Sequence, residues 1–280
     1  MAIPYLIADH IPAMQKYKVD DRHENTAADH WRVFKGLMVS HIFIQGPMIA
    51  LTHPFLEFLG MRMDLPLPPV LSVVKTIAIC FVVEDLFFYI VHRILHMPYF
   101  YKWIHKVHHE HSSDVFSIVA EWAHPLETAI LGLGTILGPI VSRCDHVATL
   151  WAWLFFRLLQ TVDTHSGYVF PWSPSNWIPF VAGPDCHWVH HATFNTQFAS
   201  TFTLWDKVFG TDKTFRRRIL NEIGQDDAAS AKKTSSPDAS SSPSSSSDSP
   251  APNSPVKPAA RASTPTRRSP RLAKRKPKLQ

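Results

Sequence analysis

Apolar residues fall into four long blocks, grouped in pairs by short polar breaks. The first block, Gly36 to Gly60, is interrupted by His41, Gln45, Pro47, His53 and Pro54, which predicts a weak span that kinks or re-enters. The second, Val70 to Val91, is long enough to cross a bilayer, although Lys75, Glu84 and Asp85 interrupt it. Between them, Asp64, Pro66, Pro68 and Pro69 break any helix, so the pair reads as a helical hairpin. A second pair, Leu126 to Val141 and Val147 to Gln160, is joined by the polar residues 142–146. Each limb is short against the roughly 17–25 residues of a full crossing, which predicts a tilted or shallow hairpin. Two buried helices of a soluble core would also accommodate Trp151, Trp153, Phe155 and Phe156, so the membrane reading rests on the four blocks together. The expected fold class is all-α: an integral-membrane helical bundle of two hairpins.

Charge changes this picture in two ways. Residues 222–280 carry 11 Lys/Arg against 5 Asp/Glu and almost no large apolar side chain, whereas residues 1–221 carry 17 against 18. The net charge of +5 therefore comes from a Ser/Pro-rich stretch that cannot bury enough surface to offset its ordering entropy, and a disordered tail is expected there. The basic run Arg267 to Lys276 then reads as a solvated tail near an anionic membrane surface, and nucleic acid is not an expected partner. Three parts result: an N-terminal cytosolic or interfacial segment (1–35), a membrane-embedded domain (36–221) and the tail (222–280). Second, Lys16, Lys18, Arg22, Arg32 and Lys35 precede the first block, and Arg93, Lys102 and Lys106 follow the second. Only Arg62 and Arg143 lie in the intervening loops, so the positive-inside rule puts both termini on the cytosolic side. No basic start followed by an apolar run marks a cleavable signal at Met1 to Gln15. Cys80, Cys144 and Cys186 are too scattered for a disulfide framework or a paired metal motif.

The chain has 17 histidines, and their placement is more informative than their number. His92-Arg-Ile-Leu-His96 follows the second apolar block directly; His105-Lys-Val-His108-His109 comes next; His187-Trp-Val-His190-His191 lies beyond the second pair. On a helix, residues three and four apart share a face, so each box is expected to present two or three imidazoles in one direction. An even number of crossings separates the second box from the third, which brings all of them to a histidine-rich helical cap on the cytosolic side. Eight box histidines, with His165 a plausible ninth, exceed the roughly four to six ligands of one first-row ion, so two ions are expected. All-imidazole ligation suits zinc, copper, iron or nickel, and spacing alone does not choose among them. The isolated His41, His53 and His146 are read as hydrogen-bonded or surface residues. Phe87, Phe88 and Tyr89, with Trp151 to Phe156, would either line an apolar pocket or simply pack.

These boxes, set around membrane hairpins, resemble the fatty acid hydroxylase superfamily, and within it the C-4 methylsterol oxidases. The matching stretches are Tyr101-Lys-Trp-Ile-His105-Lys-Val-His-His109-Glu110, Ala120-Glu121-Trp-Ala-His124-Pro125-Leu-Glu127, Gln160-Thr-Val-Asp-Thr-His165-Ser-Gly-Tyr168 and Phe202-Thr-Leu-Trp205-Asp206-Lys-Val-Phe-Gly210-Thr-Asp212. The resemblance as a whole covers roughly residues 12–215. The resemblance implies a non-haem site of two iron ions with His92, His96, His105, His108, His109, His165, His187, His190 and His191 as ligands. His124 and Glu121 would be extra ligands or supports behind them. It further implies an oxidoreductase of the endoplasmic reticulum membrane, multi-pass, with its site facing the cytosol. Such an enzyme uses dioxygen and electrons from NAD(P)H through cytochrome b5 and its reductase, and works beside the other sterol C-4 demethylation enzymes. Its substrate would be a 4,4-dimethyl or 4-methyl sterol, with another lipid of the superfamily's range as the alternative. A non-catalytic membrane metal-binding protein is a more distant alternative, since the boxes follow the ends of the spans instead of sitting within them.

Overall fold

The computed structural model describes residues 1–20, 25–112 and 114–213, and these are all-helical: three isolated β-bridges occur among them, but no strand. In chain order the helices are α1 (Ile3–Ala8), α2 (Pro12–Gln15), α3 (Ala27–Ser40), α4 (Gly46–Phe58), α5 (Val70–Leu95), α6 (Pro98–Phe100), α7 (Pro125–Val141), α8 (Val147–Thr164), α9 (Pro184–Thr193) and α10 (Leu204–Phe209). The tail expected from residue 222 lies outside the described residues.

The four apolar blocks are the four long helical runs, with one boundary shifted. Helix α3 begins at Ala27 because Thr26 and Asp29 form a reciprocal capping box, Thr26 accepting from Asp29 N–H at 3.2 Å and Asp29 from Thr26 N–H at 3.0 Å. The division expected between residues 35 and 36 therefore falls inside a helix. A π-helical turn at His41–Gln45 carries α3 into α4 without a break. The resulting run Ala27–Phe58 is long and apolar enough to cross a membrane, and most of it is exposed, with Phe43 and Leu51 more than 70% accessible. In α5 the two acids that interrupt the apolar block turn inward and are buried, leaving Val70, Leu71, Val74, Val82 and Ile90 outside.

Helix α7 lies close against α5 because it presents glycines there. A Cβ on Gly138 would stand 2.8 Å from the Cys80 Cα, and one on Gly134 would stand 2.6 Å from the Phe87 ring. Helix α8 packs Trp153 into a cluster with Leu56, Met61, Cys80 and Leu150, and the indole N–H donates to the Thr135 carbonyl at 2.8 Å.

The loops before α5 and before α8 are tied to each other. Arg62 N–H donates to Asp145 O at 2.8 Å, Val147 N–H donates to Arg62 O at 2.9 Å, and His146 joins the Asp64 carbonyl at 3.0 Å. Both loops thus sit at one end of the helices. Helices α5 and α8 run away from that end in parallel, and their C-termini, carrying His92, His96 and His165, arrive together at the other.

Candidate metal centre

Nine histidines meet at this far end, in two groups. His92, His96, His105, His109 and His190 form one, and His108, His165, His187 and His191 form the other; within each, the candidate ligand atoms lie within 4.8 Å of one another. These are the nine histidines picked out in the sequence, and eight of them are buried. Each group mixes elements distant in the chain, so neither exists before the fold does.

The second and third boxes do not each face one way, as regular helices had suggested. His105 closes a π-helical turn and His108 and His109 occupy a 3-10 turn, while the third box lies on α9. In each His-x-x-His-His box the first and last histidines go to one group and the middle one to the other. His105 and His109 join the five-histidine group and His108 the four; His187 and His191 join the four and His190 the five. Successive helical residues are about 100° apart, so adjacent histidines diverge, and each box serves both groups.

Hydrogen bonding fixes which nitrogen faces inward. The Nδ1 atoms of His92, His108, His165, His190 and His191 lie 2.7–3.0 Å from the carbonyls of Phe198, Trp122, Thr161, Thr196 and His111. A carbonyl only accepts, so each Nδ1 carries the proton and each neutral ring turns the lone pair of Nε2 toward its group. His105 Nδ1 is held likewise by the Glu127 carboxylate at 2.8 Å. The inward Nε2 atoms crowd together. In the five-histidine group the recorded separations are 3.0–3.3 Å, as for His96 with His105, His109 and His190. In the four-histidine group His165 is 2.8 Å from His187, and His187 is 3.0 Å from His191.

Lone pairs facing one another at this range repel unless a cation lies among them. Protons do not fill that role. Burial pushes His108 down to about 4, His165 to about 3 and His96 to about 2, and holds His105, His109, His187, His190 and His191 low as well, so the rings are neutral at physiological pH. Two nitrogens bound at right angles to one ion at about 2.1 Å would stand about 3.0 Å apart. The donor set of each group therefore fits metal.

The elements around the centre are placed by ordinary packing. Residues 184–191 of α9 are all buried, with Trp188 and Val189 set into a cluster that includes Val33, Leu37, Phe116 and Val119. Phe198 contacts the rings of His92, His96 and His190, Phe88 stands edge-on to His92, and Phe194 packs on His109, giving the five-histidine group an apolar wall. By contrast Trp151, Phe155 and Phe156 face outward and do not line the centre. Neither supporting residue suggested by motif position is in it: His124 caps α7 by accepting from Leu126 N–H, and Glu121 pairs with His41 at 3.0 Å. Glu127, three residues past His124, is an acid that does reach a candidate ligand, His105. The supporting carbonyls were invisible beforehand, because backbone acceptors carry no residue signature.

Comparison with known proteins agrees with this geometry. A fatty acid hydroxylase family model matches residues 77–211. Methylsterol monooxygenase 1 of Rattus norvegicus is 46% identical over 213 residues, covering 75% of this chain and 72% of that protein. The Gallus gallus protein of the same name is 45% identical over 218 residues, covering 77% and 72%. A very-long-chain aldehyde decarbonylase of Oryza sativa subsp. indica is 41% identical over 217 residues, covering 76% and 80%. No solved structure matches the chain.

Proposed function

The chain belongs to the fatty acid hydroxylase family, and from that premise we propose that it is a C-4 methylsterol monooxygenase. It oxidises the C-4 methyl group of 4,4-dimethyl or 4-methyl sterols through alcohol and aldehyde to the carboxylate. The observation that carries this reading is the pair of facing imidazole groups, set in a chain that is 44–46% identical to several methylsterol monooxygenases. In this reading His92, His96, His105, His109 and His190 would hold one iron, and His108, His165, His187 and His191 would hold the other. Iron bound there would supply the chemistry of dioxygen activation, with electrons from NAD(P)H delivered by cytochrome b5 and its reductase.

The protein's own contribution is orientation and exclusion of water. Backbone carbonyls and Glu127 lock six of the nine rings in the tautomer that presents Nε2, so those six need little rearrangement when metal enters. Phe88, Phe194 and Phe198 keep the surroundings apolar, which protects a strong oxidant from water and suits a hydrocarbon substrate.

The same reading places the chain in the endoplasmic reticulum membrane as two helical hairpins. The run Ala27–Phe58 is one span, the exposed apolar face of α5 supports a second, and α7 with α8 forms the shallower pair. Arg93, Lys102 and Lys106 are at the histidine end, against Arg62 and Arg143 at the loop end, which supports a cytosolic site that electron carriers reach directly while the sterol enters from the bilayer. Expression in cells lacking their own C-4 oxidase tests the proposal. Restored sterol synthesis and loss of accumulated 4-methyl sterols are expected; persistent 4-methyl sterols beside well-expressed, metal-loaded protein would overturn it.

The rice relative supports a second reading, since a protein 41% identical is named for action on very-long-chain aldehydes. Aldehyde or alkane profiles that change while 4-methyl sterols do not would favour that substrate.

A further inference from the structure

The segment Thr196–Phe202 belongs to no helix, yet its backbone is bonded almost residue by residue. Asp206, on α10, accepts from Phe198 N–H at 2.8 Å and Ala199 N–H at 3.0 Å. Asp85, on α5, accepts from Thr201 N–H at 2.6 Å and Phe202 N–H at 3.1 Å. Gln197 N–H donates to Thr211 O, and Gln160 of α8 donates to Ser200 O. Both carboxylates are essentially inaccessible, at 1% and 0%. With five of its seven N–H groups committed, the segment turns two carbonyls toward the metal centre: Thr196 O takes the Nδ1–H of His190 and Phe198 O takes that of His92.

These two histidines share a destination. Both belong to the five-histidine group, although one comes from the first box and the other from the third. In the four-histidine group the recorded carbonyl partners lie elsewhere, at Trp122, Thr161 and His111. Both carbonyls that the segment presents therefore serve the five-histidine group.

We propose that Asp206 and Asp85 are positioning residues for the five-histidine metal site: by fixing the Thr196–Phe202 backbone they aim its carbonyls at His190 and His92 and so set the affinity of that site alone. The inference rests on the two-ion reading of the centre. A carboxylate is required at each place because two neighbouring N–H groups must be accepted at once, one by each oxygen. Asparagine keeps the shape but offers a single acceptor and turns an NH2 against the second donor. Loss of such outer support lowers metal affinity by roughly 10–100-fold.

The test is titration of metal-free, full-length protein in lipid nanodiscs with cobalt(II), with helicity followed by circular dichroism. The parent protein is expected to take two ions, and Asp206→Asn to take one as tightly as the parent and the other roughly 10–100-fold more weakly. Two backgrounds assign the weakened site. In His187→Ala, which leaves the five-histidine group intact, adding Asp206→Asn should weaken the remaining ion; in His92→Ala it should leave the remaining ion unchanged. Equal weakening in both backgrounds, or in neither, overturns the inference, since general destabilisation would not discriminate between the sites. If Asp206→Asn does not retain helicity, Asp85→Asn, which releases the other end of the segment, carries the same expectation and the same refutation. A parent protein that binds fewer than two ions would instead overturn the two-ion reading, and the inference with it.

Discussion

Replacing Glu127 by alanine strikes the centre through one bond whose consequences are calculable. The Glu127 carboxylate accepts from His105 Nδ1 at 2.8 Å, and both side chains are 2% or less exposed, so water cannot readily take its place. Leaving that N–H unpaired costs about 1–3 kcal/mol. It also frees His105 to move its proton to Nε2, which would direct an N–H at His92, His96 and His109, whose Nε2 atoms stand 3.0–3.1 Å away. A roughly 10–100-fold loss of metal affinity, as outer-support variants show, corresponds to about 1.4–2.7 kcal/mol. The two routes agree in size. Glu127→Ala should therefore lose metal to a chelator about 10–100 times more readily than the parent, and Glu127→Gln, which keeps an acceptor, should be affected less. Metal content after graded chelator challenge of the purified protein measures both. An alanine variant that holds its metal as the parent does would refute the claim that this bond orients His105.

Other perturbations probe the frame and the protonation state. Arg157 is buried and donates to the buried Glu84 at 2.8 Å, so Arg157→Met strands a carboxylate and should destabilise by about 3–5 kcal/mol, with Glu84→Gln in the same chain recovering part of it; thermal unfolding in detergent checks both. Gly138→Ala places a methyl group against the α5 backbone at Cys80, where nothing flexible can give, and should cost about 1–3 kcal/mol in the same assay. In metal-free protein, His108 and His165 have folded pKa values of about 4 and about 3, below their unfolded value of 6.5, so below pH 6.5 the unfolded chain binds more protons. Stability from these groups is full above 6.5 and is lost as pH falls toward 4 and 3, by up to about 1.4 kcal/mol per pH unit for each histidine. Melting temperatures at pH 7.5, 6 and 5 should show that loss, and a flat profile would contradict neutral imidazoles in the folded state.

Eight of the nine histidines were legible because residue type and spacing are written in the chain, the ninth, His165, through its motif, and the four helical runs because apolar blocks and breakers are local. What the chain concealed was long-range. Splitting of each His-x-x-His-His box between two groups follows from helical rotation, but only once His108 and His109 are known to stand between facing walls. The start of α3 was written in Thr26 and Asp29, ahead of the apolar block that drew the boundary to residue 36. Glu84 and Asp85 looked like blemishes in a span, yet Glu84 meets an arginine 73 residues on and Asp85 meets backbone 116 and 117 residues on. On α5, Asp85, Tyr89, His92 and His96 recur at helical spacing, so one face carries two histidines of the centre and a carboxylate that holds the segment behind one of them. Tyr89 joins the same arrangement through Thr211, which donates to Asp206 at 2.6 Å. Two of the three charges that interrupt the apolar block of α5 thus tie it inward, Glu84 to α8 and Asp85 to the segment behind His92. A helix that must deliver histidines to fixed positions has to anchor the backbone supporting them, and in α5 that anchoring comes from polar groups turned inward from an otherwise apolar surface.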